Sequence, residues 1–203
     1  MASRPSPKRL AQLAAVVIAA TAVAMLGVRY VALLAQAEQF VADVRVASML
    51  APEPQDPYVV IVAVNEDTLA RFPYRSPIDR EFLASLLKSL ESRGPRAIAV
   101  DLLFDQPTEP AKDADLHDVL ANAKVPLIIS YTDDPQIVNP AQKKFLDAFV
   151  PVEARGRAEL VVDPIDGAVR SISPGYRQSD GSYFRSLPRE VAHKVGIETP
   201  EAP

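Results

Sequence analysis

An apolar run of 19 residues near the N-terminus constrains this chain more than any other feature. Residues 10–28 include no charged side chain, and only Gln12 and Thr21 are polar. A bilayer core is crossed by about 20 predominantly apolar residues, because a helix satisfies its own backbone polar groups inside lipid. The sequence therefore predicts a transmembrane helix, and we assign residues 10–35 to the membrane anchor.

The charge distribution around the run predicts its orientation. No acidic residue precedes Glu38, whereas Arg4, Lys8 and Arg9 lie before the apolar run. Basic residues mark the cytoplasmic side of a membrane helix, so residues 1–9 are predicted to be cytoplasmic. We therefore expect a single-pass protein of the inner (cytoplasmic) membrane whose remaining residues lie in the periplasm or the extracellular space.

A cleaved signal peptide is the alternative interpretation of the same residues. Ala35, Gln36 and Ala37 fit the small-x-small pattern of a cleavage site. The apolar run is longer than the roughly 7–15 residues of a signal-peptide core, which favours a retained anchor. Both interpretations export the rest of the chain.

Composition excludes several classes of function for the exported part. The chain has no Cys, which excludes a disulfide scaffold, a thiolate zinc site and a cysteine nucleophile. From Glu38 onward there are 18 basic and 26 acidic residues, a net charge of −8. This acidic balance argues against a nucleic-acid partner.

Alternating apolar runs and amphipathic stretches predict an α/β fold. Residues 36–57 are expected to form a juxtamembrane helix and a proline-rich hinge, and buried strands are predicted at residues 58–64, 97–100 and 126–131. Ser76 has the sequence context of an N-cap, with a proline after it and an acid three residues on. Further helices are predicted at residues 113–123 and 140–149.

The last third of the domain has the pattern of a β-hairpin followed by a helix. Residues 157–162 and 168–172 flank an Asp- and Gly-containing turn, and a closing helix is predicted over residues 184–195. We therefore predict an exported, three-layer-like domain over residues 58–197. It has a mostly parallel sheet and a hairpin-rich C-terminal part, and residues 198–203 form a tail.

Polar and aromatic side chains follow two of the predicted strands. Ligands of open α/β sheets bind at the carboxyl ends of the strands, and loop aromatics there can line a pocket. The alternative is that the carboxylates cap local turns and the aromatics close the end of the core. The hypothetical ligand-binding set consists of Asn65, Asp67, Phe72, Tyr74, Asp101, Phe104 and Asp105.

The remaining candidate residues favour no catalytic site. His117 lies four residues after Asp113, but a metal site needs more ligands than these two. Arg155 and Arg157 lie between acidic neighbours, which favours a solvated charged face over an anion site. The sequence predicts no catalytic residue, no metal site and no cofactor.

Five segments occur in an order and spacing that resemble the type-2 CHASE domain. This family is the extracellular sensory module associated with bacterial adenylate cyclases and histidine kinases, and the resemblance covers about residues 40–195. The segments are Asp43-Val44-Arg45, VVIVAVNEDTL (59–69), Phe72-Pro73-Tyr74, RGPRAIAVDLLFDQP (93–107) and DPIDGAVRSI (163–172).

The resemblance implies an extracytoplasmic sensor that binds an unknown small ligand or partner and signals to a cytoplasmic cyclase or kinase. Such an enzyme activity would lie outside this chain. Two alternatives stay open: a structural or assembly partner of another membrane protein, and a metal-dependent phosphoesterase that uses Asp101 and Asp105. A homodimer is also expected to be possible, because small residues at 20–27 permit close helix approach.

Overall fold

The structure is a computed structural model that describes residues 7–30, 32–51, 54–177 and 181–199. The chain divides into two compact units, residues 1–61 and residues 62–203. The described helices are α1 (Pro7–Tyr30), α2 (Ala32–Met49), α3 (Glu66–Leu69), α4 (Arg80–Glu91), α5 (Pro110–Ala121), α6 (Pro140–Phe149) and α7 (Leu187–Lys194). The described strands are β1 (Ile98–Val100), β2 (Leu127–Tyr131), β3 (Arg155–Arg157), β4 (Val161–Val162), β5 (Val169–Ser171), β6 (Gly175–Arg177) and β7 (Tyr183–Arg185).

The first unit consists of α1, α2 and the segment that follows them. Within α1, the stretch Pro7–Gly27 is 21 residues long and apolar enough to cross a membrane, and none of it is buried in the structure. The predicted apolar helix is therefore present. Helix α2 covers most of the predicted juxtamembrane helix.

The predicted strand at residues 58–64 is wrong. Residues 59–64 have no regular secondary structure, and Tyr58, Val60 and Ile61 are 93%, 80% and 86% exposed. A β-branched run fits a pleated surface but becomes a strand only where another strand pairs with it. Among the described strands none pairs with this run, so its high β-propensity is not sufficient.

The second unit is built around a parallel sheet of order β1-β2-β3. The register pairs Ile98 with Leu127, and Ile129 with Arg155. The mixed α/β class and the parallel sheet are thus confirmed. Residues 155–157 lie in this sheet as β3, so the first arm of the predicted hairpin is shorter than expected.

The two faces of β2 are covered by different helices. Its five residues are all buried, and Leu127, Ile129 and Tyr131 belong to one core cluster with residues of α4, α5 and α6. Because side chains alternate along a strand, Ile128 points to the opposite face. There a Cβ on Gly156 of β3 would lie 2.8 Å from the Cα of Leu187 in α7, so Gly156 permits the close approach of that helix.

Helix α4 begins three residues later than the sequence suggests. The N-cap is Asp79 and not Ser76, because the Oδ1 of Asp79 accepts the backbone N–H of Phe82 at 2.9 Å. The apolar stripe of the helix faces the core as predicted, with Leu83 and Leu87 buried. Helix α6 has the predicted bounds and begins with a capping box formed by Asn139 and Gln142.

The C-terminal part consists of two antiparallel pairs and a helix. Strand β4 pairs with β5, and β6 pairs with β7, in agreement with a hairpin-rich region. The predicted helix at residues 184–195 is shorter at its start, because Tyr183–Arg185 pairs with β6 and the helix begins at Leu187.

Candidate ligand-binding groove

An open groove of about 500 Å³ lies at the carboxyl ends of β2 and β3. Asp133 and Asp134 lie in the loop after β2, separated from its end by one residue, and Arg157 ends β3. This is the edge of an open α/β sheet at which ligands bind, and the volume falls within the usual range of small-molecule sites. The lining residues are Asp133, Asp134, Pro135, Arg157, Glu159, Leu160, Val161, Ser173 and Tyr176.

Arg157 is the central polar residue of the groove. Its side chain is 19% exposed, and its guanidinium forms ion pairs with Asp133, at 3.6 Å, and with Glu159. The guanidinium carbon lies 4.0 Å from the centroid of the Tyr176 ring, which is a cation–π distance. Two carboxylates and an aromatic face therefore hold one cation.

Tyr176 and Glu159 are themselves positioned by neighbouring elements. The hydroxyl of Tyr176 donates to Oδ2 of Asp133 at 2.8 Å, and its ring packs edge-on against Phe184 of β7 at 5.8 Å. The hydroxyl of Thr132, which is buried, donates to Oε1 of Glu159 at 2.5 Å. Hydrogen bonds and a ring contact therefore connect the groove wall both to the end of β2 and to the β6–β7 pair.

The structure places Tyr74 in a second polar cluster. Its hydroxyl donates to Oε2 of Glu109 at 2.8 Å, and Lys112 Nζ lies 2.5 Å from Oδ2 of Asp79. Desolvation and the hydrogen bond to Glu109 raise the pKa of Tyr74. That hydrogen bond lowers the pKa of Glu109. Burial opposes ionisation of Asp79, but the hydrogen bond from Lys112 and its charge hold the pKa of this carboxyl below its usual value.

The two strand-end aspartates have separate partners. Oδ1 of Asp101 accepts the Ser130 hydroxyl at 2.7 Å, whereas Oδ2 of Asp105 accepts the side-chain amide of Gln142 at 2.6 Å. Each carboxylate is thus bonded to a neutral donor on a different element. Among the residues that the structure describes, no group of three or more His, Cys, Asp or Glu side chains is arranged to hold a metal ion.

The other members of the predicted set are distributed over the domain. Phe104 is fully buried and packs against Phe149, with ring centroids 5.4 Å apart. Phe72 packs against Phe82 at 5.0 Å, and Asn65 caps α3 by accepting the backbone N–H of Thr68. The exposed residue Asp67 lies in the first turn of α3. None of the seven predicted residues lines the groove described above.

The sequence prediction of a solvated charged face at residues 155 and 157 is wrong. The side chains of Arg155 and Arg157 are only 15% and 19% exposed, because each guanidinium stacks on a tyrosine ring. Arg155 lies 4.4 Å from the ring centroid of Tyr131. The signal that could have indicated the groove is Asp133, since it lies two residues after the buried strand β2, much as Asp101 comes after β1.

These features define an α/β domain with an open groove at the carboxyl edge of a parallel sheet, in a chain that also contains a helix able to cross a membrane. The family model of the CHASE2 domain matches residues 18–202, and the chain belongs to that family. The CHASE2 domain is an extracellular sensory domain and not a catalytic one. No curated protein and no solved structure matched this chain.

Proposed function

We propose that this chain is a membrane-anchored, extracytoplasmic sensory domain that receives its signal in the groove between β2, β3 and β6. The groove is the observation that carries the proposal. It is concave, it combines fixed polar groups with the apolar side chains of Leu160 and Val161, and it lies at the edge of the sheet where α/β domains bind ligands.

The arrangement of the groove wall suits a sensor. Arg157 ends β3 of the parallel sheet and Asp133 lies in the loop that follows β2, whereas Tyr176 belongs to a separate antiparallel pair. A ligand that binds better to one arrangement of these elements than to another shifts the balance between the two. Occupancy of the groove would thereby change the position of β6 relative to the sheet.

The apolar stretch Pro7–Gly27 supports the membrane anchor of this proposal. Three basic residues, Arg4, Lys8 and Arg9, lie at its start, which favours a cytoplasmic N-terminus. The groove would then face the periplasm or the extracellular space. Its output would be a cyclase or kinase on the cytoplasmic side, reached through the helix and a second copy of the chain.

A screen of ligand binding with a blocked groove tests the proposal. The full chain in detergent is heated with each member of a mixed small-molecule library, and the melting temperature is recorded. Ser173→Trp fills the groove, and Ser89→Trp on the exposed side of α4 is the matched control. We expect some compounds to stabilise the wild type and Ser89→Trp but not Ser173→Trp.

Two outcomes would contradict a sensory groove. One is that no compound in the library raises the melting temperature of the wild type. The other is that every stabilising compound acts equally on Ser173→Trp, which would place binding elsewhere. Circular dichroism of the tryptophan variants shows whether both retain the native fold.

A role in assembly is the second candidate, and the β4–β5 hairpin favours it. Residues in and next to this hairpin expose large aliphatic side chains to solvent, and exposed apolar patches mark interaction sites. They are Leu160 (65%), Val162 (52%), Ile165 (48%), Val169 (47%) and Ile172 (72%). The chain has no Cys, so Ile172→Cys introduces a single thiol beside the hairpin. If assembly is the function, this thiol should crosslink to a defined membrane partner.

A further inference from the structure

We propose that the groove selects a small organic cation, an ammonium group on a short aliphatic body. This inference rests on the sensory function proposed above and names the chemical class of its ligand. It is carried by three features of the same concave surface: its charge, its existing cation and its apolar wall.

The charge of the groove is negative. Its lining contains three carboxylates, Asp133, Asp134 and Glu159, and one cation, Arg157, which gives a formal charge of −2. An anionic ligand would have to compete with two carboxylates already paired to Arg157 and would add to the repulsion. A cationic ligand instead compensates charge that the protein leaves in excess.

Arg157 shows which groups of the groove wall hold a cation. Its guanidinium lies between Asp133 and Glu159 and 4.0 Å from the ring centroid of Tyr176. Carboxylates combined with an aromatic face are the groups that recognise ammonium ligands. This arrangement comes from three separate segments of the chain, so it is a built feature of the fold rather than a run of charge in the sequence.

Asp134 is the carboxylate that remains for a ligand. Its Oδ1 accepts the backbone N–H of Gln136 at 2.8 Å, which fixes the side chain. Within the described residues, no side-chain or backbone group donates to its Oδ2. An ammonium group in the groove would pair with this oxygen without displacing Arg157.

The apolar wall selects for the body of the ligand. Pro135, Leu160 and Val161 line the groove beside the charged residues, and Leu160 is 65% exposed. Each methylene group that such a wall covers is removed from water, so a chain of a few carbons adds to the affinity. Together these features favour an aliphatic amine over an inorganic cation.

A matched series of four-carbon compounds tests this class. Melting temperatures of the full chain in detergent are measured against rising concentrations of n-butylammonium chloride, sodium n-butyrate, n-butanol and calcium chloride. Asp134→Asn removes the charge but keeps the acceptor for the Gln136 N–H. Asp118→Asn, on an exposed position of α5, removes one charge away from the groove.

We expect n-butylammonium to raise the melting temperature of the wild type and of Asp118→Asn, and to bind Asp134→Asn about tenfold more weakly, which corresponds to 1.4 kcal/mol. Greater stabilisation by butyrate, butanol or calcium would overturn the ligand class. So would equal stabilisation of both aspartate variants, or no stabilisation by the amine. These outcomes leave a sensory groove intact if other library compounds stabilise the wild type and fail on Ser173→Trp.

Discussion

Lys112 Nζ lies 2.5 Å from Oδ2 of Asp79, and the other carboxylate oxygen of Asp79 accepts the backbone N–H of Phe82 in the first turn of α4. One buried side chain therefore both caps α4 and joins it to α5. The two helices pack on the same face of the parallel sheet, so this pair adds a polar link between two helices that share one core.

Replacing Asp79 separates its two roles. Asp79→Asn keeps the helix cap, because Asn and Asp are equally good caps, but removes the charge that pairs with Lys112. We expect it to lower the free energy of unfolding by about 1–2 kcal/mol. Asp79→Ala should cost about 1 kcal/mol more, since the cap is lost as well. Urea denaturation measures both, and equal losses would contradict the capping role.

Acid should weaken the same contact. Because the native pKa of Asp79 is below its usual value of about 3.9, its contribution is present above that pH and is lost as the pH falls through the native pKa. We expect the stability of the wild type to decrease below about pH 4 more steeply than that of Asp79→Asn. Parallel pH profiles for the two proteins would contradict the ion pair.

The hairpin turn contains a second perturbed carboxylate. Arg170 and the backbone N–H of Ala168 both donate to Asp166 and lower its pKa to about 2. We expect the NMR titration of the Asp166 carboxyl to shift upward toward the usual value in Arg170→Gln. Lys143→Gln, which alters an ion pair on α6, serves as the control and should leave this titration unchanged.

The close approach of α7 to the sheet depends on Gly156. A Cβ at this position would lie 2.7 Å from Cγ2 of Ile128 and 2.8 Å from the Cα of Leu187. Gly156→Ala should therefore destabilise the domain by about 1–3 kcal/mol through overpacking. Gly167→Ala meets no atom within 4 Å but has a positive φ of 73°, and should cost about 1 kcal/mol. A harmless Gly156→Ala would mean that α7 is not packed on β3.

The exposed run at residues 58–62 predicts self-association. Unpaired β-branched segments are templates for pairing with another chain, and charged residues prevent it. Val60→Lys should reduce self-association in sedimentation experiments and change the unfolding free energy by less than about 0.5 kcal/mol. Ile129→Lys, at a fully buried position, should instead unfold the domain. A large loss of stability in Val60→Lys would indicate that the run pairs with the sheet.

Sequence reasoning predicts well those elements whose ends are set by residues close to them in the sequence, such as a capping residue or a proline. Helix α6 has Asn139 as its N-cap and begins at Pro140, and β2 is an apolar run that follows Pro126. Both elements therefore lie close to their predicted positions. The prediction of a strand at residues 58–64 is wrong because an apolar, β-branched run forms a strand only where a partner strand pairs with it. The N-cap at Asp79 differs from the prediction because two residue types suited to capping lie three positions apart.

The groove was not predictable from spacing alone. Asp133, Arg157 and Tyr176 are 19 to 43 residues apart and meet only because β2 and β3 pair in parallel while β6 lies beside them. The predicted set, in contrast, follows two predicted strands, and only the second of these, β1, is a strand in the structure. Its members cap helices, fill the core or bond to neighbouring side chains instead of facing one cavity.

The central claim is that the domain lies on the extracytoplasmic side of the membrane. Thiol labelling in spheroplasts tests this claim most directly. The chain has no Cys, so Ala111→Cys on α5 and Ala2→Cys near the N-terminus each introduce the only thiol. A membrane-impermeant maleimide should label Ala111→Cys in intact spheroplasts and Ala2→Cys only after lysis. Labelling of Ala2→Cys with protection of Ala111→Cys, or protection of both until lysis, would contradict an extracytoplasmic sensory domain.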